Sequence, residues 1–388
     1  MTTRVAVVRG VERVLPGELG IYAELRKYGY DVNLVCSTRA AVTEAQARMP
    51  IRRCPTPYLA GRLTQTIPGG FLVGLVSPYR YLHQYLRGFS AAVRDADVLC
   101  PVDLGHPSSY QSILERTRGK RVSVHCWENI PFNWPHNRPL AEHFEAVLDA
   151  ADHFLAYTRD AERALLAMGV RAERLSQMNL GLDLDYWTPP KVPAASSAAL
   201  RVLFVGRLHW SKGVHTLIEA LDQLRTPVEI TVAGAGGEEA RLHWLVEQRR
   251  RRGNTTADRS IRFVGPQYGA DLLRLRQTMD LQVAPSIPTP QWREQMNHSL
   301  LEGLACGLPA IVSHSGAVTE PVVDGENGWV VPPDHPAELA AALERAAADP
   351  TDRARRSQLA RRKMEAEYEL VRQGRALAEV LRTKVLPP

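Results

Sequence analysis

Two glutamates, Glu294 and Glu302, bracket seven residues within the stretch PSIPTPQWREQMNHSLLEGLACGLP, which runs from Pro285 to Pro309. A short apolar strand is predicted to end at the Pro-rich start of this stretch, because proline cannot donate to a sheet. A helix is predicted from Asn297 to Ala305, with a glycine and a proline marking its exit. A helix N-terminus, with its unpaired N–H groups, would then lie beside a carboxylate at a strand end. Such a place suits an anion together with a hydroxylated ligand.

A glycine and two cations follow the first predicted strand of the second half, in VLFVGRLHWSKGVHTLIEAL. Gly206 lets the backbone approach a ligand, Arg207 offers a fork of donors, and Lys212 supplies a mobile point charge. Together they suit two linked phosphates, ahead of a helix for which Ser211 is the predicted N-cap. The alternative is that both cations are solvated loop residues. That alternative loses weight because the helix start described above supplies a second anion site in the same half.

The spacing of the two glutamates argues against a glycosidase. Glycosidases place two carboxyl groups roughly 5 to 9.5 Å apart across the scissile bond. Eight residues of helix would separate the Cα atoms of Glu294 and Glu302 by about 12 Å, at about 1.5 Å per residue. The pair therefore fits two contacts on one long ligand, such as a nucleotide at one end and a sugar at the other.

Short apolar runs alternate with amphipathic stretches in both halves of the chain. The opening Val5 to Val8, Glu18 to Tyr28 and Asp31 to Cys36 forms a βαβ pattern, which predicts a parallel sheet. The run TPPKVPAASSAAL at 188–200 has no periodicity and predicts a linker. The alternation then resumes and closes with a helix predicted over 352–381. The predicted fold class is α/β, with two Rossmann-like βαβ domains whose strand ends face each other across a cleft.

Composition limits the alternatives. A chain of 388 residues with 45% hydrophobic residues favours two folded domains. The formal charge of +6 fits nucleic acid, anionic lipid and nucleotide ligands equally. The five cysteines are scattered without a CxxC, which predicts neither disulfides nor a zinc site and indicates a reducing cytoplasm. No cleavable leader and no apolar run of roughly 20 residues is found, so we expect a cytoplasmic protein, at most peripheral to a membrane.

Three further stretches each have two interpretations. Residues 60–94 mix aromatic, aliphatic and basic side chains, which fits either a membrane-surface segment or, more favoured, a loop followed by a core helix. The glycines of Gly234-Ala235-Gly236-Gly237 form part of a dinucleotide fingerprint, but a βα turn near a nucleotide is favoured over a nicotinamide site. The run Arg249 to Arg252 is expected to solvate a helix end, and nucleic acid is not an expected partner.

Taken together, these motifs resemble the retaining glycosyltransferases of the GT-B fold in glycosyltransferase family 4. The resemblance covers most of 201–350, through FVGRLHWSKG, the spacing of the two glutamates, LLEGLACGLP and GAVTEPVVDGENGWVVPP. It is looser in the first half, through GYDVNLV, a strand ending at His125, and MNLGLDLDYWTPP. The resemblance implies an acceptor-binding domain over 1–187, a linker over 188–200 and a nucleotide-sugar donor domain over 201–370. Residues 371–388 are then a helix that packs back towards the first domain.

The resemblance also assigns roles to single residues. It places Arg207 and Lys212 on the donor's diphosphate, Glu302 on the ribose hydroxyls of the nucleotide and Glu294 facing the transferred sugar. His125 is similar to a family histidine that reaches the donor sugar from the first domain.

The chain departs from the family at two loops. Where the family often has Gly-Phe-Gly after the first glutamate, this chain has Gln295-Met296-Asn297 and then His298. The resemblance nevertheless implies that Asn297 and His298, together with Gly206, contact the donor. In the first loop, where paired glycines are frequent, Gly17 is a weaker candidate for a phosphate or acceptor contact.

The expected activity is retaining transfer of a sugar from a nucleotide-diphosphate sugar to an acceptor, in the hexosyltransferase class. The acceptor is left open among a saccharide, a lipid-linked compound and a small molecule. No cofactor and no metal are expected. Two alternatives remain: a non-catalytic subunit that binds a nucleotide sugar, and a GT-B-fold epimerase that acts on the same donor.

Overall fold

The protein is described by a computed structural model over residues 2–10, 14, 16–56, 85–133, 138–191, 197–253 and 259–386. Two compact units divide the chain. The first unit combines Met1–Gly181 with Leu370–Pro388, and the second unit is Leu182–Glu369. Each unit has its own buried core of aliphatic and aromatic side chains.

The first unit contains a sheet of parallel strands. Within the described residues these are β1 (Arg4–Arg9), β2 (Asp31–Ser37), β3 (Ile51–Cys54), β4 (Val98–Cys100), β5 (Arg121–Cys126), β6 (His153–Ala156) and β7 (Leu175–Gln177). They lie in the order β3-β2-β1-β4-β5-β6-β7. The central strands are buried on both faces, as expected of a parallel sheet covered by helices. The short strands β3 and β7 were not predicted from the sequence.

Helices alternate with these strands. The described α-helices of the first unit are α1 (Pro16–Glu24), α2 (Glu44–Ala47), α3 (Phe89–Ala92), α4 (Pro107–Leu114), α5 (Arg138–Ala150), α6 (Arg159–Ala167) and, from the end of the chain, α13 (Leu370–Val380). Helix α13 packs on α1, where Gly374 permits close approach because a Cβ there would lie 2.4 Å from the Cβ of Glu24. The Tyr30 hydroxyl also donates to the carbonyl of Ala378 at 3.2 Å.

The second unit repeats the pattern. Its described strands are β8 (Leu200–Val205), β9 (Val228–Ala233), β10 (Arg259–Phe263), β11 (Leu281–Ala284), β12 (Ala310–Ser313) and β13 (Gly328–Val331), in the order β10-β9-β8-β11-β12-β13. Its described α-helices are α7 (Val214–Ala220), α8 (Glu239–Arg251), α9 (Gly269–Gln277), α10 (His298–Ala305), α11 (Pro336–Ala348) and α12 (Pro350–Glu367). The prediction of two Rossmann-like units is confirmed.

The single closing helix predicted over 352–381 is wrong. Helix α12 ends at Glu367 and α13 begins at Leu370 in the first unit. Tyr368 interrupts the helix because its φ of −124° is not helical, its side chain is buried, and its carbonyl accepts a hydrogen bond from the Leu182 amide at 2.7 Å. The chain therefore crosses between the units at 181–182 and again at 369–370. The described parts of the run 188–200 belong to the second unit.

The segment 60–94 is described only from residue 85 onward. Leu86, Phe89 and Val93 are buried in the core of the first unit, as expected of a loop followed by a core helix. Residues 60–84 lie outside the described residues. In the described parts of the chain, no helix is both long and apolar enough to cross a membrane.

Candidate functional site

The second sheet changes direction at its centre. Strand β8 pairs with β9 on one side and with β11 on the other, so the connections after β8 and β11 leave towards opposite sides of the sheet. In open parallel sheets, ligands bind in the crevice that opens at this switch point, beyond the carboxyl ends of the strands. The loop with Gly206 to Lys212 follows β8, and the loop with Pro285 to Glu294 follows β11. Sheet order alone therefore brings these two predicted loops together.

Lys212 and Glu294 make direct contact at this crevice. The Lys212 Nζ atom lies 2.7 Å from Oε1 and 2.6 Å from Oε2 of Glu294. The two side chains are 13% and 6% exposed. The ammonium also lies 5.1 Å from the centre of the Trp292 ring, within the range of a cation–π contact. This is a charged pair whose ammonium is still within reach of a ligand.

The backbone of the first loop is fixed by a glycine. Gly213 has a φ of +68°, and a Cβ there would lie 1.9 Å from the carbonyl oxygen of Pro285, so the two loops touch where only glycine fits. The Ile287 amide donates to the Ser211 carbonyl at 2.7 Å and ties the loops further. The prediction of Ser211 as N-cap is wrong. His209 caps the short 3₁₀ turn Trp210–Lys212, because its Nδ1 accepts from the Ser211 amide.

The second loop fixes the position of the Glu294 carboxylate through hydrogen bonds. The Ser286 hydroxyl donates to Oε2 at 2.6 Å, and the Ser286 carbonyl in turn accepts a hydrogen bond from the Ser313 hydroxyl. The backbone of Glu294 is fixed as well, since its carbonyl accepts from the Ala317 amide at 2.9 Å. A carboxylate with this many donors is held in one orientation before any ligand arrives.

The glycine-rich stretch after β9 supports the first loop rather than forming a dinucleotide fingerprint. A Cβ on Gly234 would lie 1.9 Å from the Gly206 carbonyl oxygen, and one on Gly236 would lie 2.3 Å from that of Leu208. Both glycines therefore let the β9–α8 turn pack against the backbone that carries Arg207. The Arg207 side chain is exposed and makes no ion pair with the described residues.

Helix α10 begins where the sequence predicts. Asn297 is its N-cap, and the side-chain Oδ1 accepts from the Leu300 amide at 3.1 Å. His298 is the first helical residue. The helix is seated on β11 by Gln282, whose Nε2 donates to the Leu300 carbonyl at 3.0 Å. Gly303 allows this approach, since a Cβ there would lie 1.9 Å from Oε1 of Gln282. The N-terminus of α10, with its partial positive charge, is thus held beside the Glu294 loop.

Glu302 contacts a cation that was not predicted. Its Oε2 lies 2.7 Å from Nη1 of Arg276, whose side chain is fully buried at the end of α9. A signal was present in the sequence, because Arg276 stands four residues after the buried Leu272 on the apolar face of the helix. A lone cation at such a position predicts a buried partner.

His125 lies in the first unit, at the end of β5. It is fully buried, and its Nδ1 lies 2.6 Å from the Tyr22 hydroxyl and 3.0 Å from that of Tyr157. Its Nε2 has no hydrogen-bond partner among the described residues. Burial, and then the nearby Arg9 guanidinium, hold the pKa of His125 well below its ordinary value, so the imidazole is neutral. Gly17 lies exposed in the first turn of α1.

Asp103 is a second feature that the sequence analysis missed. It follows β4 with a φ of +53°, and its Oδ1 accepts from the amides of Trp127 at 2.7 Å and Glu128 at 3.3 Å. Burial raises the pKa of this carboxyl to about 7, against the lowering effect of those two amides. A strained backbone around a perturbed carboxyl at a strand end is typical of functional positions.

Among the described residues, no group of three His, Cys, Asp or Glu side chains is placed to hold a metal ion.

Most of the second unit matches a known protein family. The family model described as "Glycosyl transferases group 1" matches residues 199–349, which include Lys212, Glu294 and Glu302. We call residues 199–349, which match this family model, the group 1 domain. The predicted resemblance to this family is thereby confirmed.

Relatives of this group 1 domain include known enzymes. Over 200 residues the chain is 32% identical to the glycogen synthase of Mycobacterium tuberculosis, covering 52% of this chain and 46% of the relative. Over 218 residues it is 30% identical to D-inositol 3-phosphate glycosyltransferase 2 of Catenulispora acidiphila, covering 51% and 48%. The chain spans about half the length of the curated relatives it matches.

Solved structures extend the likeness from the group 1 domain to the whole chain. The Anabaena Alr3699/HepE structure in complex with UDP has a TM-score of 0.77 and 19% identity, and the match covers 99% of this chain and 100% of that chain. A second structure of the same protein is in complex with UDP-glucose. At this identity the match shows the fold, which is GT-B.

Proposed function

We propose that this protein is a retaining glycosyltransferase that moves a sugar from a nucleotide-diphosphate sugar to a hydroxylated acceptor. The observation that carries the proposal is the contact of Lys212 with Glu294 at the switch point of the second sheet, beside the N-terminus of α10. The cation and the helix N-terminus suit the diphosphate of such a donor, and the carboxylate beside them suits the hydroxyl groups of its sugar. The UDP and UDP-glucose complexes of the structural neighbour make UDP the first nucleotide to test.

The chemistry proposed for the site is electrostatic. As the bond between the anomeric carbon and the diphosphate breaks, negative charge grows on the leaving diphosphate. Lys212, the exposed Arg207 and the first-turn amides of α10 are proposed to stabilise that charge, which is an interaction stronger in the transition state than in the ground state. Glu294 is proposed to face the sugar, and Glu302 to accept from the ribose hydroxyls. The acceptor hydroxyl attacks from the face that the leaving group vacates and passes its proton to an oxygen of the departing diphosphate, so no protein nucleophile is required.

His125 and Gly17 are proposed as contributions of the first unit. The buried Nε2 of His125 has no partner among the described residues, which fits a neutral donor or acceptor reserved for a sugar hydroxyl. Gly17 is proposed to admit a phosphate or the acceptor close to the backbone. Transfer is proposed to need neither a cofactor nor a metal. Contact with a membrane through 60–94 and a cytoplasmic location stay predictions.

The proposal is tested by combining binding with transfer. Calorimetry with UDP, GDP and ADP identifies the nucleotide, and transfer from the matching nucleotide sugars is then followed on a panel of acceptors, with the anomeric configuration of the product read by NMR. Lys212→Ala and Glu294→Ala are expected to abolish transfer without unfolding the protein. Lys363→Ala, which removes another lysine–glutamate pair 2.8 Å long on the surface of α12, is the matched control and should retain full activity.

Three results would contradict the proposal. Full turnover by either site variant would remove the assigned roles. A product of inverted configuration would remove retention. Saturable donor binding with no product from any acceptor would favour the alternative of a non-catalytic binding subunit, and isomerised nucleotide sugar without acceptor would favour the epimerase.

A further inference from the structure

A buried guanidinium stands behind the glutamate that is proposed to hold the ribose. Arg276 is in the last turn of α9, its side chain is 0% exposed, and its Nη1 lies 2.7 Å from Oε2 of Glu302. The Glu302 side chain is 20% exposed, so the carboxylate that contacts this buried guanidinium also reaches the surface of the unit. Nη1 makes no well-aligned hydrogen bond, which makes this contact an ion pair rather than a directed bond.

Two further contacts fix the guanidinium. Nη2 of Arg276 donates to the Ser299 carbonyl at 3.0 Å and to the Ser299 hydroxyl at 2.7 Å. The guanidinium lies over the Trp187 ring, 4.5 Å from its centre. Ser299 and Glu302 are neighbours on the same face of α10, three residues apart. A single planar group therefore contacts two positions about one helical turn apart, which lysine could not do.

The burial of Arg276 restricts Glu302 in turn. A fully buried cation is strongly unfavourable unless a carboxylate lies beside it. Glu302 is the carboxylate within ion-pair distance of Arg276 in the described part of the chain. Rotation of the Glu302 side chain away from Arg276 would leave that cation buried and unpaired, so one orientation is favoured. The ion pair uses Oε2, and Oε1 is left to accept from a ligand.

We propose that Arg276 is a positioning residue for donor binding, which holds Glu302 with Oε1 directed at the ribose hydroxyls of a nucleotide. Trp187 and Ser299 hold Arg276 in place. The inference rests on the proposed function through the role given to Glu302, and it adds a determinant of ribose recognition that touches no ligand itself.

The test compares ribose nucleotides with analogues that lack the hydroxyls. Affinities of UDP, GDP and ADP and of their 2′,3′-dideoxy counterparts are measured by calorimetry for the native protein, Glu302→Gln, Arg276→Met and Arg276→Lys. Since a hydrogen bond to a charged group contributes about 1.5 to 3 kcal/mol, the native protein should prefer the ribose form by about 10- to 100-fold. Glu302→Gln and Arg276→Met should each lose most of that preference, while binding of the dideoxy form changes little.

The intermediate variants separate positioning from folding. Arg276→Lys keeps the charge but loses the fork and should show an intermediate preference. If Arg276→Met does not fold, Ser299→Ala serves instead, because it removes one contact of the guanidinium and leaves the ion pair. Ser299→Ala should lower the preference for ribose nucleotides by a smaller factor than that expected for Arg276→Met.

The outcomes distinguish the two proposals. An equal loss of affinity for ribose and dideoxy forms in Arg276→Met, or in Ser299→Ala where the first variant does not fold, means a purely structural role and overturns the inference. An unchanged preference in either variant overturns it as well. If the native protein binds none of the nucleotides, or binds both forms equally, the proposed role of Glu302 fails first and the inference with it.

Discussion

Lys212 and Glu294 are 82 positions apart in the sequence and meet at 2.6 Å, with both carboxylate oxygens of the glutamate on one ammonium. Neither loop alone specifies this contact. It follows from the order of the strands, since β8 and β11 are neighbours and a crevice opens between their diverging connections. The pair has two consequences: it prearranges a cation for a ligand, and it places two charges where little water reaches them.

The Lys212–Glu294 pair is expected to behave as one energetic unit. Lys212→Met or Glu294→Gln should each lower the free energy of unfolding by about 3 to 5 kcal/mol, because each removes the ion-pair partner of a buried charge. The double variant should lose clearly less than the sum, since no charge is left alone. Urea unfolding of the four proteins measures the coupling. The less buried pair Lys363–Glu367, whose side chains are 19% and 41% exposed, should show a coupling below about 1 kcal/mol. Additive losses at 212 and 294 would show that the Lys212–Glu294 pair does not form in solution.

Gly213 should be far less tolerant than other glycines of positive φ. Gly213→Ala places a Cβ 1.9 Å from the Pro285 carbonyl oxygen and should force the two loops apart, with loss of donor binding. Gly325→Ala is the matched control, because Gly325 has a φ of +80° and open space around the added Cβ. That control should lose only about 1 kcal/mol of stability from the left-handed backbone. Equal effects of the two substitutions on thermal stability and nucleotide affinity would mean that the loops do not touch.

Much of the fold could be predicted from local sequence. Helix α10 begins within one residue of the predicted start, because apolar runs and proline or glycine punctuation act locally. The break at Tyr368 could not be predicted. It depends on a hydrogen bond between Tyr368 and Leu182, which the sequence places far apart and only the folded unit brings together.

The sequence indicated several candidate residues of the site but not which side chains contact each other. Lys212, Glu294 and Glu302 were singled out by the loop that combines a glycine with two cations, by the spacing of the two glutamates and by the family resemblance. A basic residue on the apolar face of α9 indicates that Arg276 needs a partner but does not indicate that Glu302 is that partner, and nothing in the local sequence of Asp103 indicates that its carboxyl is buried. Both omissions are tertiary contacts imposed on otherwise ordinary local sequence.

Asn297 offers a way to separate a structural role from a binding role. As N-cap of α10 it should lose about 1 kcal/mol of stability when changed to Ala but only a few tenths when changed to Gly. Asn297→Asp keeps the cap and its shape while adding a negative charge near the proposed phosphate position. That variant should remain as stable as the native protein yet bind nucleoside diphosphates about tenfold more weakly, from repulsion of about 1.4 kcal/mol across a few ångströms. Unchanged affinity in Asn297→Asp would place the phosphate elsewhere.

Asp103 should make the protein less stable as pH rises. Because burial raises its folded-state pKa to about 7 from 3.8, the native protein holds this proton where the unfolded chain has lost it. The stability that this proton contributes is therefore lost progressively between about pH 4 and pH 7, by at most about 4 kcal/mol, and stays lost above that range.

Asp103→Asn keeps the Oδ1 acceptor for the Trp127 amide and tolerates the positive φ. The stability of this variant relative to the native protein should increase from pH 4 to pH 8 in urea titrations. Asp31→Asn, at an exposed carboxylate of the same unit, controls for the loss of a charge, and an equal pH dependence of the two variants would show that Asp103 is not held protonated.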